Sequence, residues 1–117
     1  MKRKLFLITA ALPFVLTDVV AQSSCNTALS ITAGLHTVDA VDGPEVPMPV
    51  CAPNGTGASA GKWYVYTPAD DYTVRVSTDL SQNTGKDTRV HIYTGVCGSL
   101  VCHAGDDDSG NGYLSLI

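Results

Sequence analysis

The fold is decided by Arg89-Val90-His91-Ile92-Tyr93-Thr94, a stretch in which apolar and polar side chains alternate as they do in a half-buried β-strand. Val90 and Ile92 lie on the face that the alternation predicts to be buried. The glycines of Gly95–Gly98 then predict a turn, and Leu100–Ala104 is expected to return as the partner strand. The segment therefore predicts an antiparallel β-hairpin.

Two other alternating runs lie upstream of this hairpin. Lys62–Thr67 is predicted to be a strand with Trp63 on its core-facing side. Pro68–Asp71 has the composition of a turn, and Tyr72–Ser77 alternates again. The two runs together predict a second β-hairpin.

The rest of the chain adds short strands and loops but no helical period. Leu29–Thr32 and Leu35–Val41 are weaker strand candidates, and Asp42–Gly61, with four prolines and four glycines, is expected to be a loop. Tyr113–Ile117 opens one more strand. Many short strands separated by turn residues indicate an all-β fold.

The sequence ends inside this last predicted strand. Its apolar residues Leu114, Leu116 and Ile117 would then form an unpaired, hydrophobic sheet edge, which natural proteins avoid. We therefore expect that the last strands of the fold are missing and that the chain is a fragment of a longer protein.

The first 21 residues have the pattern of a cleavable signal peptide. Three positive charges follow Met1, Leu5–Leu16 is largely apolar, and Val19-Val20-Ala21 places small residues before the cleavage position. The apolar stretch is shorter than the roughly 20 residues that span a bilayer. We expect residues 22–117 to form one domain that is secreted or displayed at the cell surface, without stable membrane insertion after cleavage.

The charge of the predicted mature domain limits its partners. Residues 22–117 contain ten acidic and four basic residues, a formal net charge of −6. Nucleic acids are bound mainly through Lys and Arg contacts to phosphates, so this balance argues against nucleic acid. It is compatible with cations, basic protein surfaces or neutral polysaccharides.

Four cysteines in a short exported chain predict two disulfides rather than a zinc site. Three pairings are possible among Cys25, Cys51, Cys97 and Cys102. The short spacing between Cys97 and Cys102 favours a local bridge across the turn, which leaves Cys25 to pair with Cys51.

An acidic turn is the best candidate for a metal site. Asp106, Asp107 and Asp108 are consecutive, and a hard cation such as Ca²⁺ relieves the repulsion between carboxylates by accepting their oxygens as ligands. Asp87 is a further candidate ligand from the neighbouring loop. The alternative is a solvated turn whose Asp side chains accept bonds from backbone N–H groups.

The aromatic strand permits a sugar-binding interpretation. Tyr64 and Tyr66 share one face and would stack on sugar rings if they were exposed; the alternative is that they pack inside the fold. Catalytic motifs such as Gly-x-Ser-x-Gly, His-Glu-x-x-His and the Walker loop do not occur, so the sequence predicts a protein that is not an enzyme.

Several segments, taken in order, resemble the bacterial pre-peptidase C-terminal (PPC) domain, in the cysteine-bearing version found in secreted proteins of Bacteroidetes. The motifs that carry the resemblance are Lys62–Tyr66, Asp87–Tyr93, Gly105–Gly110, the opening Cys25–Ile31 and the two-cysteine hairpin Tyr93–Cys102.

The resemblance implies that residues 22–117 form a jelly-roll-like antiparallel β-sandwich that lacks its last strands. It also implies a secreted, non-catalytic accessory or binding module that contacts a polysaccharide, a protein surface or a partner domain. Some members of the family bind calcium near such acidic turns. The alternative function is therefore a calcium-stabilised domain fragment of a secreted hydrolase or peptidase.

Overall fold

The computed structural model describes residues 22–53 and 58–117, so the predicted signal peptide lies outside the described residues. The regular structure of the described residues is almost entirely β, as predicted. It consists of β1 (Leu29–Ile31), β2 (Tyr64–Tyr66), β3 (Val90–Val96), β4 (Ser99–Asp106) and two 3-10 turns at Cys25–Thr27 and Ser81–Asn83. None of the described helices has the length and apolar character needed to cross a membrane.

Strands β3 and β4 form the antiparallel hairpin that the sequence predicts. Their register runs from Val96 opposite Ser99 to Val90 opposite Asp106, which leaves a two-residue turn. Gly98 occupies the second turn position with φ +88°, a conformation that favours glycine. The register shifts beyond Tyr93, where His103 is the extra residue of a bulge.

The two faces of the hairpin have different surroundings. On one face, the ring of Tyr93 stacks on that of Trp63 with 5.8 Å between centroids, which joins the hairpin to the segment that leads into β2. Trp63 is only 8% exposed, in agreement with its predicted core position. Val90 and Ile92, on the opposite face, are half-buried rather than buried.

The predicted second hairpin, between Lys62–Thr67 and Tyr72–Ser77, is wrong. Strand β2 pairs in parallel with β1, with Leu29 opposite Tyr64 and Ile31 opposite Tyr66. Alternation defines the two faces of a strand but does not identify the strand beside it. The predicted strand Leu29–Thr32 is therefore confirmed as β1, in a pairing that the sequence pattern did not indicate.

The C-terminal segment is the partner of residues 76–78. Val76 and Ile117 exchange two backbone hydrogen bonds of 3.0 and 2.9 Å, and the amide of Thr78 donates to the carbonyl of Ser115 at 2.9 Å. Leu114 and Ser115 are almost completely buried. Tyr113–Ile117 thus makes isolated bridges rather than the regular strand predicted, and its residues 115–117 are paired rather than left as an open edge.

Ser115 is the centre of a buried polar network. Its amide lies 2.9 Å from Thr78 Oγ1 and 3.1 Å from Thr88 Oγ1. Its hydroxyl lies within donating distance of three carbonyl oxygens, those of Thr88 (2.7 Å), Asp106 (3.3 Å) and Asp107 (3.0 Å). The network ties residues 76–78 and 88 to the end of β4.

All four cysteines form disulfides, but the predicted pairing is wrong. The bridges are Cys25–Cys97 and Cys51–Cys102, with Cα–Cα distances of 5.7 and 5.4 Å. Because the hairpin turn contains only two residues, Cys102 lies opposite Tyr93 and is separated from Cys97 by several residues of extended strand. At about 3.3 Å per residue that separation exceeds what a disulfide spans.

We expect each bridge to stabilise the domain strongly. The two disulfides close loops with sequence separations of 72 and 51. Loop-closure entropy for such lengths corresponds to about 4 kcal/mol for either bridge taken alone. The double variant Cys51→Ala/Cys102→Ala should lose unfolding free energy of that order, measured by urea denaturation.

The pairing itself is checked by peptide mapping without reductant. After cleavage at Leu35, Trp63 and Leu100, each cysteine lies on its own peptide, and Cys97 and Cys102 should be found in separate disulfide-linked pairs, one joined to Cys25 and the other to Cys51. A peptide pair that links Cys97 to Cys102 would contradict the observed topology.

Candidate functional site

The acidic turn begins where β4 ends, at Asp106. Its carboxylate accepts hydrogen bonds from the amide and hydroxyl of Ser109 and, at 2.8 Å, from the amide of Leu116. These bonds, that of the Ser109 hydroxyl foremost, hold the pKa of Asp106 below its usual value of 3.8. Asp106 therefore acts here as the turn-stabilising Asp that the alternative interpretation describes.

Asp107 forms a bidentate ion pair with Arg89. The Nε and Nη2 atoms of Arg89 each lie 3.1 Å from a different carboxylate oxygen of Asp107. Asp107 is 7% exposed, and the guanidinium is largely covered as well. The hydrogen bond to Asp107 raises the pKa of Arg89, so this pair fixes one positive charge inside the acidic cluster.

Three of the four predicted calcium ligands lie together. Asp87, Asp107 and Asp108 each present a carboxylate oxygen, and these oxygens lie within 4.8 Å of one another. Asp87 reaches the cluster because its backbone forms a parallel bridge with Tyr113. Desolvation, followed by the negative charges of Asp107 and Asp87, raises the pKa of Asp108. Asp106 is outside this group.

The arrangement has the donor set of a hard-cation site with one competing positive charge. Carboxylate oxygens are the ligands that Ca²⁺ prefers, and Asp87 and Asp108 are exposed to solvent. Arg89 already satisfies one lone pair on each oxygen of Asp107. A bound cation would therefore share Asp107 with Arg89.

The predicted aromatic platform is only partly presented to solvent. Tyr64 and Tyr66 are both half-buried, and the hydroxyl groups of Tyr66 and Tyr72 are hydrogen-bonded to each other. This hydrogen bond raises the pKa of Tyr66. The tyrosine rings belong to a surface in which β2 meets the segment around Tyr72, rather than to a free-standing stacking surface.

His91 holds a distant backbone segment, a partner that the sequence pattern did not identify. Its Nδ1 atom accepts hydrogen bonds from the amides of Cys51 and Ala52, at 3.0 and 3.2 Å. Burial, with the positive charge of Arg89 adding to it, lowers the pKa of His91 from 6.5. The alternating pattern placed His91 on a strand face but carried no information about a partner 40 residues away.

A groove lined mainly by apolar residues lies between residues Val96–Val101, which we call the hairpin tip, and the segment before Cys51. Its volume is about 510 Å³, and its walls are formed by Glu45, Val46, Met48, Pro49, Gly98, Ser99 and Leu100. On the other face of the tip, Val96 and Val101 are 70% and 62% exposed. The tip is thus apolar on both faces.

Comparison of the chain with known protein families, with curated proteins and with solved structures finds no match. The resemblance of the motifs to the PPC domain therefore stays a prediction.

We expect Asp106 to contribute acid-sensitive stability. Because its folded-state pKa lies below 3.8, its contribution is complete above that pH and is lost as the pH falls through the folded-state value. Asp106→Asn should lose roughly 1–2 kcal/mol of unfolding free energy at pH 7, since an amide nitrogen would replace one accepting oxygen. Urea denaturation between pH 7 and pH 2.5 measures both effects.

The matched control is Asp70→Asn, a substitution at an exposed position in the turn after β2. The acid-induced loss of stability should shrink in Asp106→Asn and remain in Asp70→Asn. If the wild type, Asp106→Asn and Asp70→Asn lose the same unfolding free energy on acidification, Asp106 is not the source of the acid-sensitive stability.

Proposed function

We propose that the chain is an exported, non-catalytic β-module that works by contacting another protein. The observation that carries the proposal is the distribution of apolar side chains. Among the described residues only Ala52, Trp63 and Leu114 are buried apolar residues, whereas thirteen large apolar side chains are exposed.

Export is supported by two independent features. The pattern of residues 1–21 is that of a signal peptide. The two disulfides indicate an oxidising, extracellular environment, because intracellular thiols are usually kept reduced.

The hairpin tip is the part of the surface best suited to a protein partner. Val96 and Val101 lie on one face, and Leu100 lies on the groove side with Met48. No charged residue occurs between Val96 and Cys102. Large exposed apolar patches commonly mark protein interaction sites.

The partner that fits this surface has an apolar patch bordered by basic residues. The predicted mature domain carries a net charge of −6, and opposite charge at the border of an interface favours association. A polysaccharide would instead be expected to use exposed aromatic rings. Here Trp63 is buried and Tyr64 and Tyr66 are half-buried, whereas the exposed rings of Tyr72 and Tyr113 lie outside the hairpin tip.

The non-catalytic part of the proposal rests on how the reactive groups are engaged. No described cysteine is free, since all four are in disulfides. His91 accepts two backbone bonds, Asp106 accepts bonds from Ser109 and Leu116, and Asp107 is paired with Arg89. These interactions engage the thiols, His91, Asp106 and Asp107 in structural roles.

The jelly-roll sandwich of the PPC domain is the fold that we propose for the whole module. The observed all-β architecture and the two-cysteine hairpin support this proposal. The described strands form two two-stranded sheets.

The contact is tested by site-specific photo-crosslinking on the exported protein in its producing cells. A photoreactive amino acid at Val101 should give one discrete adduct, identified by mass spectrometry as a protein with an apolar, basic-bordered surface. The control carries the same photoreactive amino acid in place of Asp71, in an exposed polar turn, and should give no discrete adduct. The substitution Val96→Ser in the crosslinking protein should reduce the adduct by roughly fivefold or more, because one buried valine contributes more than about 1 kcal/mol.

Polysaccharide binding is tested in parallel by affinity electrophoresis. Two results together would overturn the protein-contact proposal. The wild type would be retarded in polysaccharide gels and the variant Tyr64→Ala/Tyr66→Ala would not, and no crosslinked adduct would form at position 101.

A second candidate function is a calcium-stabilised domain of a secreted hydrolase. It is favoured by the three carboxylates of Asp87, Asp107 and Asp108, whose oxygens lie within 4.8 Å of one another. A cation there would join the loop before β3 to the turn after β4. Such a bridge would stabilise the folded state by mass action.

Calorimetry with millimolar CaCl₂ tests this candidate. If calcium binds, heat should be detected for the wild type and should be lost in Asp87→Asn, and the thermal midpoint should rise in the wild type but not in Asp87→Asn. Asp70→Asn should behave as the wild type. Absence of heat and of any midpoint shift at 10 mM CaCl₂ would exclude a calcium role.

A further inference from the structure

Residues 49–52, which we call the Cys51 segment, are attached to the hairpin through a histidine side chain. The amides of Cys51 and Ala52 both donate to Nδ1 of His91, at 3.0 and 3.2 Å. A ring nitrogen accepts a hydrogen bond only when it carries no proton, so the ring of His91 is neutral in this arrangement and its proton is on Nε2.

The approach of the segment to the hairpin is close. His91 lies opposite Gly105 in the register of β3 and β4. A Cβ atom at Gly105 would lie 2.5 Å from the amide nitrogen of Ala52 and 2.5 Å from the carbonyl carbon of Cys51. The backbone of the segment therefore rests on Gly105 with its amides directed at the neighbouring imidazole.

Two other contacts hold the segment without depending on the protonation of His91. The Cys51–Cys102 disulfide attaches it covalently to β4. The hydroxyl of Tyr93 donates to the carbonyl of Pro49 at 2.7 Å.

We propose that His91 makes the Cys51 segment acid-sensitive: protonation of the ring at Nδ1 breaks both amide contacts and loosens residues 49–52, while the disulfide keeps them attached. Protonation would place three N–H donors against one another with no acceptor between them. The amides of Cys51 and Ala52 must then move away from the ring of His91.

The charged groups around His91 set the direction of its titration. Burial and the positive charge of Arg89, the residue just before β3, lower its pKa from 6.5, while Asp107 beyond β4 opposes them. The Cys51 segment carries no titratable side chain apart from the disulfide-bonded Cys51. The ring of Tyr93 stacks on that of His91 with 6.2 Å between the ring centroids. Burial raises the pKa of Tyr93, so its hydroxyl stays neutral.

The lowered pKa of His91 determines how the stability of the folded chain depends on pH. The unfolded chain protonates His91 near pH 6.5, whereas the folded chain does so only at lower pH. The stability contributed by the neutral ring is complete above pH 6.5 and is lost as the pH falls from 6.5 through the folded-state value. Local opening of the segment is expected in the same interval.

Nuclear magnetic resonance on the full mature chain, with EDTA present to remove cations, tests the proposal. Protection factors corrected for intrinsic exchange should fall by roughly tenfold or more at the amides of Cys51 and Ala52 between pH 7.5 and pH 5, and by less than about twofold in the β3–β4 ladder. The ring nitrogens of His91 should titrate with the same midpoint. An unchanged protection at both amides while the ring titrates would overturn the proposal.

The matched variants are His91→Asn and His103→Asn. Asn places an amide oxygen near the position of Nδ1, which accepts the same bonds and does not titrate, so His91→Asn should abolish the pH dependence. His103 is the exposed bulge residue of the neighbouring strand, and His103→Asn should leave the dependence intact. A fall in protection in His91→Asn equal to that of the wild type would also overturn the proposal. If His91→Asn does not fold, the coincidence of ring and amide midpoints in the wild type decides.

Discussion

The carboxylate of Asp106 accepts hydrogen bonds from two places beyond the hairpin: Ser109 in the acidic turn and the backbone of Leu116. Asp106 is the last residue of β4, and its carboxylate also binds the C-terminal segment. It thereby positions the fully buried Ser115, whose hydroxyl lies near three carbonyl oxygens. Polar groups in such a low-dielectric setting are costly unless all are satisfied. In the described residues, every buried side-chain N or O atom has a hydrogen-bond partner.

This polar centre matters because the apolar core is small. Only three apolar residues among those described are buried, which is little for a domain of this size. Two long-range disulfides, the ion pair of Arg89 with Asp107 and the stacking of Trp63 on Tyr93 supply cross-links between segments that a larger core would otherwise hold. The exposed aliphatic side chains around the hairpin tip are then available for contact with another surface.

Local chemistry was predictable from the sequence, and long-range pairing was not. Alternation with turn glycines predicted the β3–β4 hairpin correctly, whereas alternation around Pro68–Asp71, a turn without glycine, predicted a hairpin over Lys62–Ser77 that does not form. The same alternation could not show that β2 pairs with β1 or that residues 76–78 pair with residues 115–117, since it defines faces and not neighbours. The adjacent aspartates indicated an acidic site by their composition alone. To predict that the guanidinium of Arg89 lies within this site, one would have needed the register of the hairpin. The same is true of the contact between His91 and the Cys51 segment.

The order of the two disulfides along the chain determines how the protein responds to a protease. The bridges join the first cysteine to the third and the second to the fourth, so they interleave. Any single cut of the backbone between Cys51 and Cys97 leaves two pieces that are still joined by both bridges. A protease that nicks one of the many connecting segments in this stretch therefore releases no fragment, and the acidic turn and the hairpin tip stay attached to the rest of the molecule.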